Sequence, residues 1–260
     1  EKDIDMETID LIKKRGCVVI RNVFSKSLID EWNEDLVKYI TENGYYEQCQ
    51  DKAHLDQYFS SLQSSKPQVF GIYWSQPQVK ARQDKSMAKA KAWLNNLWEY
   101  EKNGNTVFDP DKECTYADRI RRREPGDKTF GLSPHADAGS VERWIDDGYQ
   151  KVYRNIFNGN WHDYDPFDAS YRTEISEIPS PAVSHVFRTF QGWTALTEQG
   201  PNDGTLQLVP IVNNVVYILY RALLDDVAED SLCGALPGRA LDASFDWHSL
   251  SLKALISIPF

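Results

Sequence analysis

Two residues two positions apart, His135 and Asp137, form the pattern in this sequence best suited to binding a metal ion. In an extended segment, residues i and i+2 point to the same face, so both side chains can reach one ion. An imidazole and a carboxylate suit Fe(II) and would supply two of the three ligands of a facial triad. The spacing alone is weak evidence, because 5 histidines and 39 acidic residues among 260 give roughly 0.75 such matches by chance.

Clustered arginines form a second candidate site. Arg119, Arg121 and Arg123 alternate along one face of a predicted strand, with Arg122 on the opposite face. A guanidinium binds a carboxylate through bidentate hydrogen bonds, which favours recognition of an anionic ligand. A ladder of salt bridges on an acid-rich surface explains the same pattern equally well. Arg119 and Arg121 are the better candidates for inward-facing residues, because Arg122 and Arg123 adjoin the turn at 124–126.

These residues need a scaffold, and the hydrophobic pattern indicates helices first and short strands later. A short strand is predicted at 17–20, followed by a helix capped by Ser25 or Ser27 and a second helix over 76–100. From residue 115 onward the predicted strands are separated by turn residues, at 116–123, 151–157, 184–196 and 205–211. This order predicts one α+β, mainly β domain, in which helical support at 1–114 braces a sandwich or barrel at 115–260.

Length and composition restrict the function classes. A chain of 260 residues can bury a core without disulfide or metal cross-links. Its net charge of −10 argues against nucleic acid or an anionic membrane as a partner, and no apolar run is long enough to span a bilayer. The four cysteines contain no Cys-x-x-Cys pair, which fits a reducing compartment and predicts a cytoplasmic protein. Gly-rich nucleotide loops and the Gly-x-Ser-x-Gly hydrolase motif are absent.

Longer motifs carry a family resemblance. The order of LSPHADAG at 132–139, a tryptophan-bearing segment at 187–196 and a GTLQLVP turn at 204–210 resembles the phytanoyl-CoA dioxygenase type of Fe(II)/2-oxoglutarate oxygenase. Further blocks resemble the YbiU-like oxygenase family of bacteria and fungi over essentially the whole chain. They are RGCVVI at 15–20, YWSQ at 73–76, DRIRRR at 118–123, ERW at 142–144, FNGN at 157–160 and LLDDV at 223–227.

The resemblance implies a double-stranded β-helix (a jelly roll of the cupin type) and Fe(II) bound by His135 and Asp137. It also implies 2-oxoglutarate as cosubstrate, dioxygen as oxidant and a small-molecule substrate. Arg188 and Thr189, together with Arg119 and Arg121, become the candidate residues for binding 2-oxoglutarate. The family places its third iron ligand in a Trp-Trp-His…His segment after the stretch matching 252–259. We therefore expect this chain to be a fragment that lacks that histidine and the C-terminal strands of the barrel.

Two other functions remain compatible with the same residues. A β-helix module without a metal could hold a small anion through Arg119, Arg121 or Arg188 and perform no catalysis. A metal-dependent hydrolase or isomerase of the cupin type could use His135 and Asp137 without 2-oxoglutarate. The arginine-rich strand is a weak indication of an acidic or amino-acid-like substrate.

Overall fold

The structure, a computed structural model, describes residues 4–48, 69–113, 115, 117–123, 146–175, 187–200, 203, 205, 206 and 208. The helices are α1 Met6–Arg15, α2 Lys26–Glu42, α3 Tyr45–Gln48, α4 Gln76–Gln83, α5 Lys85–Asn95, α6 Asp147–Val152 and α7 Arg154–Phe157. The strands are β1 Val69–Phe70, β2 Glu101–Lys102, β3 Asn105–Thr106 and β4 Ile120–Arg121, and 3₁₀ helices occupy Trp161–Asp163 and Arg172–Glu174. None of the helices in these ranges is long and apolar enough to cross a membrane.

The first two helices are each defined by a capping residue. The Asp5 carboxylate accepts a hydrogen bond from the amide of Thr8 at 2.7 Å, and α1 ends at Gly16, whose φ of 69° suits glycine. Ser25 caps α2, and Trp32, Leu36 and Ile40 form its buried stripe. The helix predicted after Ser25 is thus confirmed. The strand predicted at 17–20 is wrong, since these residues have no regular structure and largely exposed side chains.

The single helix predicted over 76–100 is in fact two helices. The backbone adopts an extended conformation at Asp84 (φ −71°, ψ 134°), which ends α4. The Asp84 carboxylate then caps α5 by accepting a hydrogen bond from the amide of Ser86 at 2.7 Å. At the start of α4, Ser75 and Gln78 form a capping box. The break at Asp84 separates the two helices, and both lie within the range 76–100 that was predicted to be helical.

Two small antiparallel sheets lie in the described ranges. β1 pairs with β4, placing Val69 opposite Arg121 and Phe70 opposite Ile120. β2 and β3 form a hairpin whose two turn residues, Asn103 and Gly104, both have positive φ, as a type I′ turn requires. The jelly-roll prediction concerns 115–260, most of which lies outside the described residues, and it stays a prediction.

The strand predicted at 151–157 is wrong, because the structure places helices α6 and α7 there. Buried Tyr149, Val152, Tyr153 and Ile156 recur at helical spacing, so the aromatic and β-branched residues pack one helical face rather than a strand. The Asp146 carboxylate caps α6 by accepting from the amide of Tyr149 at 3.0 Å. Local strand propensity was overridden by this cap and periodicity.

Two apolar clusters organise the described core. The Trp98 cluster contains five buried residues, with Phe187 and Phe190 packed against it: Ile12, Leu97, Trp98, Phe167 and Ala169. The Ile120 cluster joins α2 to the β1–β4 sheet, with Leu196 packed against it: Leu36, Ile40, Phe70, Ile72 and Ile120. Residues 187–196 therefore contact both clusters and connect them.

A buried arginine lies at the edge of the Trp98 cluster. Arg172 is only 2% exposed, and its guanidinium lies 5.2 Å from the centre of the Trp98 ring. It donates to the carbonyl oxygens of Asp168 at 3.0 Å and Pro166 at 3.0 Å, and to the Tyr164 hydroxyl at 3.2 Å. Burial raises the pKa of Tyr164, so this phenol stays protonated and neutral. Neutral oxygens and an aromatic face thus satisfy the buried cation.

We predict that Gly148→Ala destabilises the fold, because a Cβ at this position would lie 2.8 Å from the carbonyl oxygen of Glu174. Either α6 or the 3₁₀ helix Arg172–Glu174 must then move, and we expect a loss of about 1–3 kcal/mol in the free energy of unfolding. Urea denaturation measures this loss. Gly192→Ala is the matched control, since a Cβ there has nothing within 4 Å. Equal stability of the two variants would contradict the close packing.

The contact between Lys102 and Asp168 predicts an acid-side loss of stability. The Asp168 carboxylate accepts from Lys102 Nζ at 2.8 Å and from the amide of Ser170 at 2.8 Å. Burial raises the pKa of Asp168, but these hydrogen bonds outweigh it and hold the pKa below its ordinary value. The stabilisation is therefore complete above the unfolded-state pKa of about 3.9 and is lost as the pH falls through the lower folded-state value.

Unfolding by urea at a series of pH values between about 2.5 and 6 tests this dependence. We expect Asp168→Asn to flatten the slope of stability against pH on the acid side. Lys102→Met should flatten it partly, since the bond from Ser170 remains. An unchanged slope in both variants would show that Asp168 does not carry the effect.

Candidate functional site

The predicted site residues divide into two groups by position. His135 and Asp137, the predicted iron ligands, lie outside the described residues, so their role stays a prediction. Arg119, Arg121 and the pair Arg188–Thr189 lie inside. Within the described part of the chain, no group of three histidine, cysteine or acidic side chains is arranged to hold a metal ion.

The segment that carries Arg188 and Thr189 is held by aromatic packing. The Phe187 and Phe190 rings meet the Trp98 ring nearly at right angles, with centroids 5.3 and 6.4 Å away. Phe187 also contacts Phe108, and Phe190 contacts Phe167. Residues 187–190 are half-buried, whereas 191–195 are exposed and have no regular strand structure. The strand predicted at 184–196 is therefore not formed over 187–196.

Thr189 is anchored by a buried amide. Its hydroxyl lies 2.6 Å from Oδ1 of Asn95, the last residue of α5, and Asn95 Nδ2 donates to the carbonyl oxygen of Pro110 at 3.0 Å. Asn95 is 8% exposed. The prediction from the sequence missed Asn95, because its partner Thr189 is 94 positions away and their bond depends on tertiary packing.

Arg188 differs from its neighbours because no residue that the structure describes anchors its side chain. The side chain is half-buried, and no carboxylate in the described part of the chain lies within ion-pair distance of its guanidinium. A partly desolvated guanidinium retains its fork of N–H donors and its positive charge. The arrangement can therefore bind a carboxylate or another small anion at this point.

Arg119 and Arg121 lie on the exposed side of the β1–β4 sheet. Ile120 between them is buried in the Ile120 cluster, so both arginines point away from that cluster. Arg119 Nε donates to the hydroxyl of Tyr73 at 3.1 Å. The structure thus places these two arginines at a surface, with Tyr73 as one neighbour.

A buried glutamine, Gln78, connects α4 to the residues just before β4, the strand that carries Arg121. Gln78 Nε2 donates to the carbonyl oxygens of Ile72 at 2.8 Å and Asp118 at 2.9 Å, and Gln78 Oε1 accepts from the Ser75 hydroxyl at 2.8 Å. Arg82 forms an ion pair with Asp118. Sequence reasoning did not identify this network, although Ser-x-x-Gln is a recognisable capping-box signal. The network fixes the position of Asp118, the residue directly before Arg119, relative to α4.

A small cleft of about 70 Å³ lies beside α7 and is lined by polar groups. Two of its carboxylates are already engaged, since Asp165 accepts from the amide of Phe167 and Asp168 binds Lys102. The cleft is also much smaller than the roughly 300 Å³ of a typical ligand pocket. Its size and its engaged carboxylates do not favour ligand binding in this cleft.

The two sets of described arginines belong to one connected framework. Phe187 and Phe190 fix one end of the 187–196 segment on the Trp98 cluster, and Leu196 fixes the other end on the Ile120 cluster. Ile120 lies directly between Arg119 and Arg121. The backbone that presents Arg188 is consequently tied at both ends to elements whose positions the helices determine.

Known proteins are similar to this chain over almost its whole length. The chain is 45% identical to the uncharacterized protein YbiU of Escherichia coli K12 over 258 residues, which is 98% of this chain and 61% of YbiU. A crystal structure from Salmonella typhimurium LT2, named "putative oxidoreductase", matches 98% of this chain and 61% of its own at 41% identity, with a TM-score of 0.77. The structure of GlcNAc inducible gene 2 from Candida albicans matches 98% of this chain and 55% of its own at 28% identity, with a TM-score of 0.70.

The chain therefore spans about three fifths of the length of these relatives. The sequence profile of one family, described as Gig2-like, matches the whole of residues 1–260. This match agrees with the similarity to YbiU and to the Candida protein, and it places the chain in the Gig2-like family.

Proposed function

We propose that the protein is a non-haem Fe(II)/2-oxoglutarate-dependent oxygenase that acts on a small, anionic or amino-acid-like substrate. One observation carries the proposal: a half-buried Arg188 without a carboxylate partner in the described part of the chain, on a segment anchored at both ends. The Salmonella relative named "putative oxidoreductase" supports the broader class of redox enzyme.

The residues around Arg188 suit 2-oxoglutarate. A dicarboxylate needs a fixed cation with parallel N–H donors, and a guanidinium supplies both. Partial burial strengthens the attraction, because the effective dielectric constant is lower than in bulk water. Phe187 and Phe190 flank the segment and exclude water from its inner side. This chain would thus bind and orient the cosubstrate through one arginine.

The donor set proposed for iron is His135 and Asp137, with a third ligand supplied from outside 1–260. Imidazole and carboxylate ligands that leave open coordination positions are typical of Fe(II) oxygenases. When bound, iron and 2-oxoglutarate would supply the oxidation of substrate by dioxygen, with release of succinate and carbon dioxide. Hydrogen bonds from neighbouring groups to Asp137 would orient the carboxylate towards the metal.

The same Arg188 would also serve a non-catalytic anion-binding module, and His135 with Asp137 would also serve a metal-dependent hydrolase or isomerase. The anion module predicts 2-oxoglutarate binding that is independent of iron. The hydrolase predicts metal binding that is independent of 2-oxoglutarate. The oxygenase predicts that each ligand strengthens the binding of the other, because both would share one coordination sphere.

An anaerobic titration with Fe(II) and 2-oxoglutarate tests the proposal. We expect a visible charge-transfer band that requires both components and vanishes in His135→Ala. His162→Ala is the matched control, because His162 is exposed and lies outside the proposed ligand set. If the band is absent from a chain extended to the full family length, the oxygenase proposal is wrong.

Arg188→Ala should weaken 2-oxoglutarate binding roughly 10- to 100-fold, the usual effect of losing hydrogen bonds to a charged group. The affinity of Arg188→Lys for 2-oxoglutarate should lie between those of Arg188→Ala and the wild type, because lysine keeps the charge but lacks the fork of parallel N–H donors. Isothermal titration calorimetry measures the change. The control is Arg154→Ala, an exposed arginine that donates to the carbonyl oxygen of Lys151. Equal affinity of Arg188→Ala and wild type would exclude Arg188 as the anion ligand.

A further inference from the structure

We propose that Thr189 and Asn95 position Arg188 for binding the cosubstrate and that Thr189 does not itself bind it. This inference rests on the proposed function, because it concerns how the anion site is built. It changes the role predicted for Thr189 from the sequence, where the hydroxyl was a candidate ligand of 2-oxoglutarate.

The orientation of the Asn95 side-chain amide determines whether the Thr189 hydroxyl is left to bind the cosubstrate. Asn95 Nδ2 donates to the carbonyl oxygen of Pro110 at 3.0 Å, so the NH₂ group faces Pro110 and Oδ1 faces Thr189. The opposite orientation would place two oxygens, neither carrying a hydrogen, against each other at Pro110. The amide is therefore fixed by its own surroundings.

The direction of the bond to Thr189 follows from this orientation. Asn95 Oδ1 can only accept, so the Thr189 hydroxyl donates its single hydrogen to it across 2.6 Å. A carboxylate also only accepts hydrogen bonds. With its hydrogen engaged, Thr189 offers a carboxylate nothing but lone pairs, which would repel it.

The two phenylalanines of the segment 187–190 are engaged as well. Phe187 and Phe190 pack on Trp98, and Thr189 binds Asn95, which lies three residues before Trp98. Two residues at and just after the end of α5, Asn95 and Trp98, thus hold three of the four residues of the segment 187–190. Arg188 is the member of this segment that has no partner in the described part of the chain. The anchors fix its backbone and leave its guanidinium for the ligand.

A double-mutant cycle separates positioning from direct binding. Thr189→Val removes the hydroxyl and Asn95→Ala removes its acceptor, and each should raise the Kd for 2-oxoglutarate about 5-fold, as the loss of one hydrogen bond does. Asn95→Ala also removes the donor to Pro110, so the decisive comparison is that Thr189→Val should weaken binding no further in the Asn95→Ala background. Thr189→Ser keeps the hydroxyl and should restore wild-type affinity.

A direct role for Thr189 gives a different pattern. Thr189→Val would then weaken binding to the same extent in the Asn95→Ala background, and the two effects would multiply. That result overturns the proposal, as does wild-type affinity in Thr189→Val. If Asn95→Ala fails to fold, the hydrogen-exchange comparison of Thr189→Val with the wild type still tests the anchor, because it needs no variant at Asn95.

Amide hydrogen exchange tests the anchor between Thr189 and Asn95 without relying on the oxygenase proposal. The amides of 187–190 should exchange faster in Thr189→Val and in Asn95→Ala, with no further increase in the double variant. If the wild type does not bind 2-oxoglutarate but the exchange pattern holds, the proposed function is wrong and the anchor is real. If exchange is unchanged in both single variants, the anchor is absent and this inference is wrong.

Discussion

The arrangement of this protein depends on how it satisfies one buried cation, Arg172. A guanidinium that is 2% exposed would destabilise the fold severely unless its donors and charge met fixed partners. The partners are two backbone carbonyls, a neutral phenol and the face of Trp98. Because the carbonyls belong to residues 166–168 and the ring follows α5, these two regions can take only one relative position. The parallel bridge between Glu99 and Asp168 lies at the same junction and has the same effect.

Trp98 carries this constraint to the candidate site. One part of its ring lies against the Arg172 guanidinium, while Phe167, Phe187 and Phe190 pack around it at centroid distances of 5.3–6.4 Å. An aromatic ring with partners on several sides cannot shift without disturbing all of them. The segment around Arg188 therefore takes its position from a ring that a buried charge has already fixed. A rigid support of this kind is what an anion site needs, since small displacements of a charged ligand weaken binding.

The sequence predicted local elements better than the contacts between them. Helix α2 follows from Ser25 and an apolar repeat, and the structure has it there. The strand predicted at 151–157 is the end of α6 and the whole of α7, because the preference of Val and Tyr for strands is outweighed by the helical spacing of Tyr149, Tyr153 and Ile156. At the site, the family resemblance indicated Arg188 as a candidate ligand of the cosubstrate. Its supports could not be found in the same way, because Asn95 and Thr189 are 94 positions apart and their bond depends on tertiary packing.

Arg172 and Arg188 show why burial alone does not identify a binding site. Arg172 is 2% exposed, and its Nε and Nη2 donate to neutral oxygens of the protein, so its guanidinium is closed off from a ligand in solvent. Arg188 is less buried and has no carboxylate partner in the described residues, although the chain carries 39 acidic side chains. A net charge of −10 repels anions at long range, so affinity for an anion must come from short-range contacts in a partly desolvated place. Of these two cations, Arg188 is the one that combines such a place with hydrogen-bond donors for which the described residues supply no carboxylate.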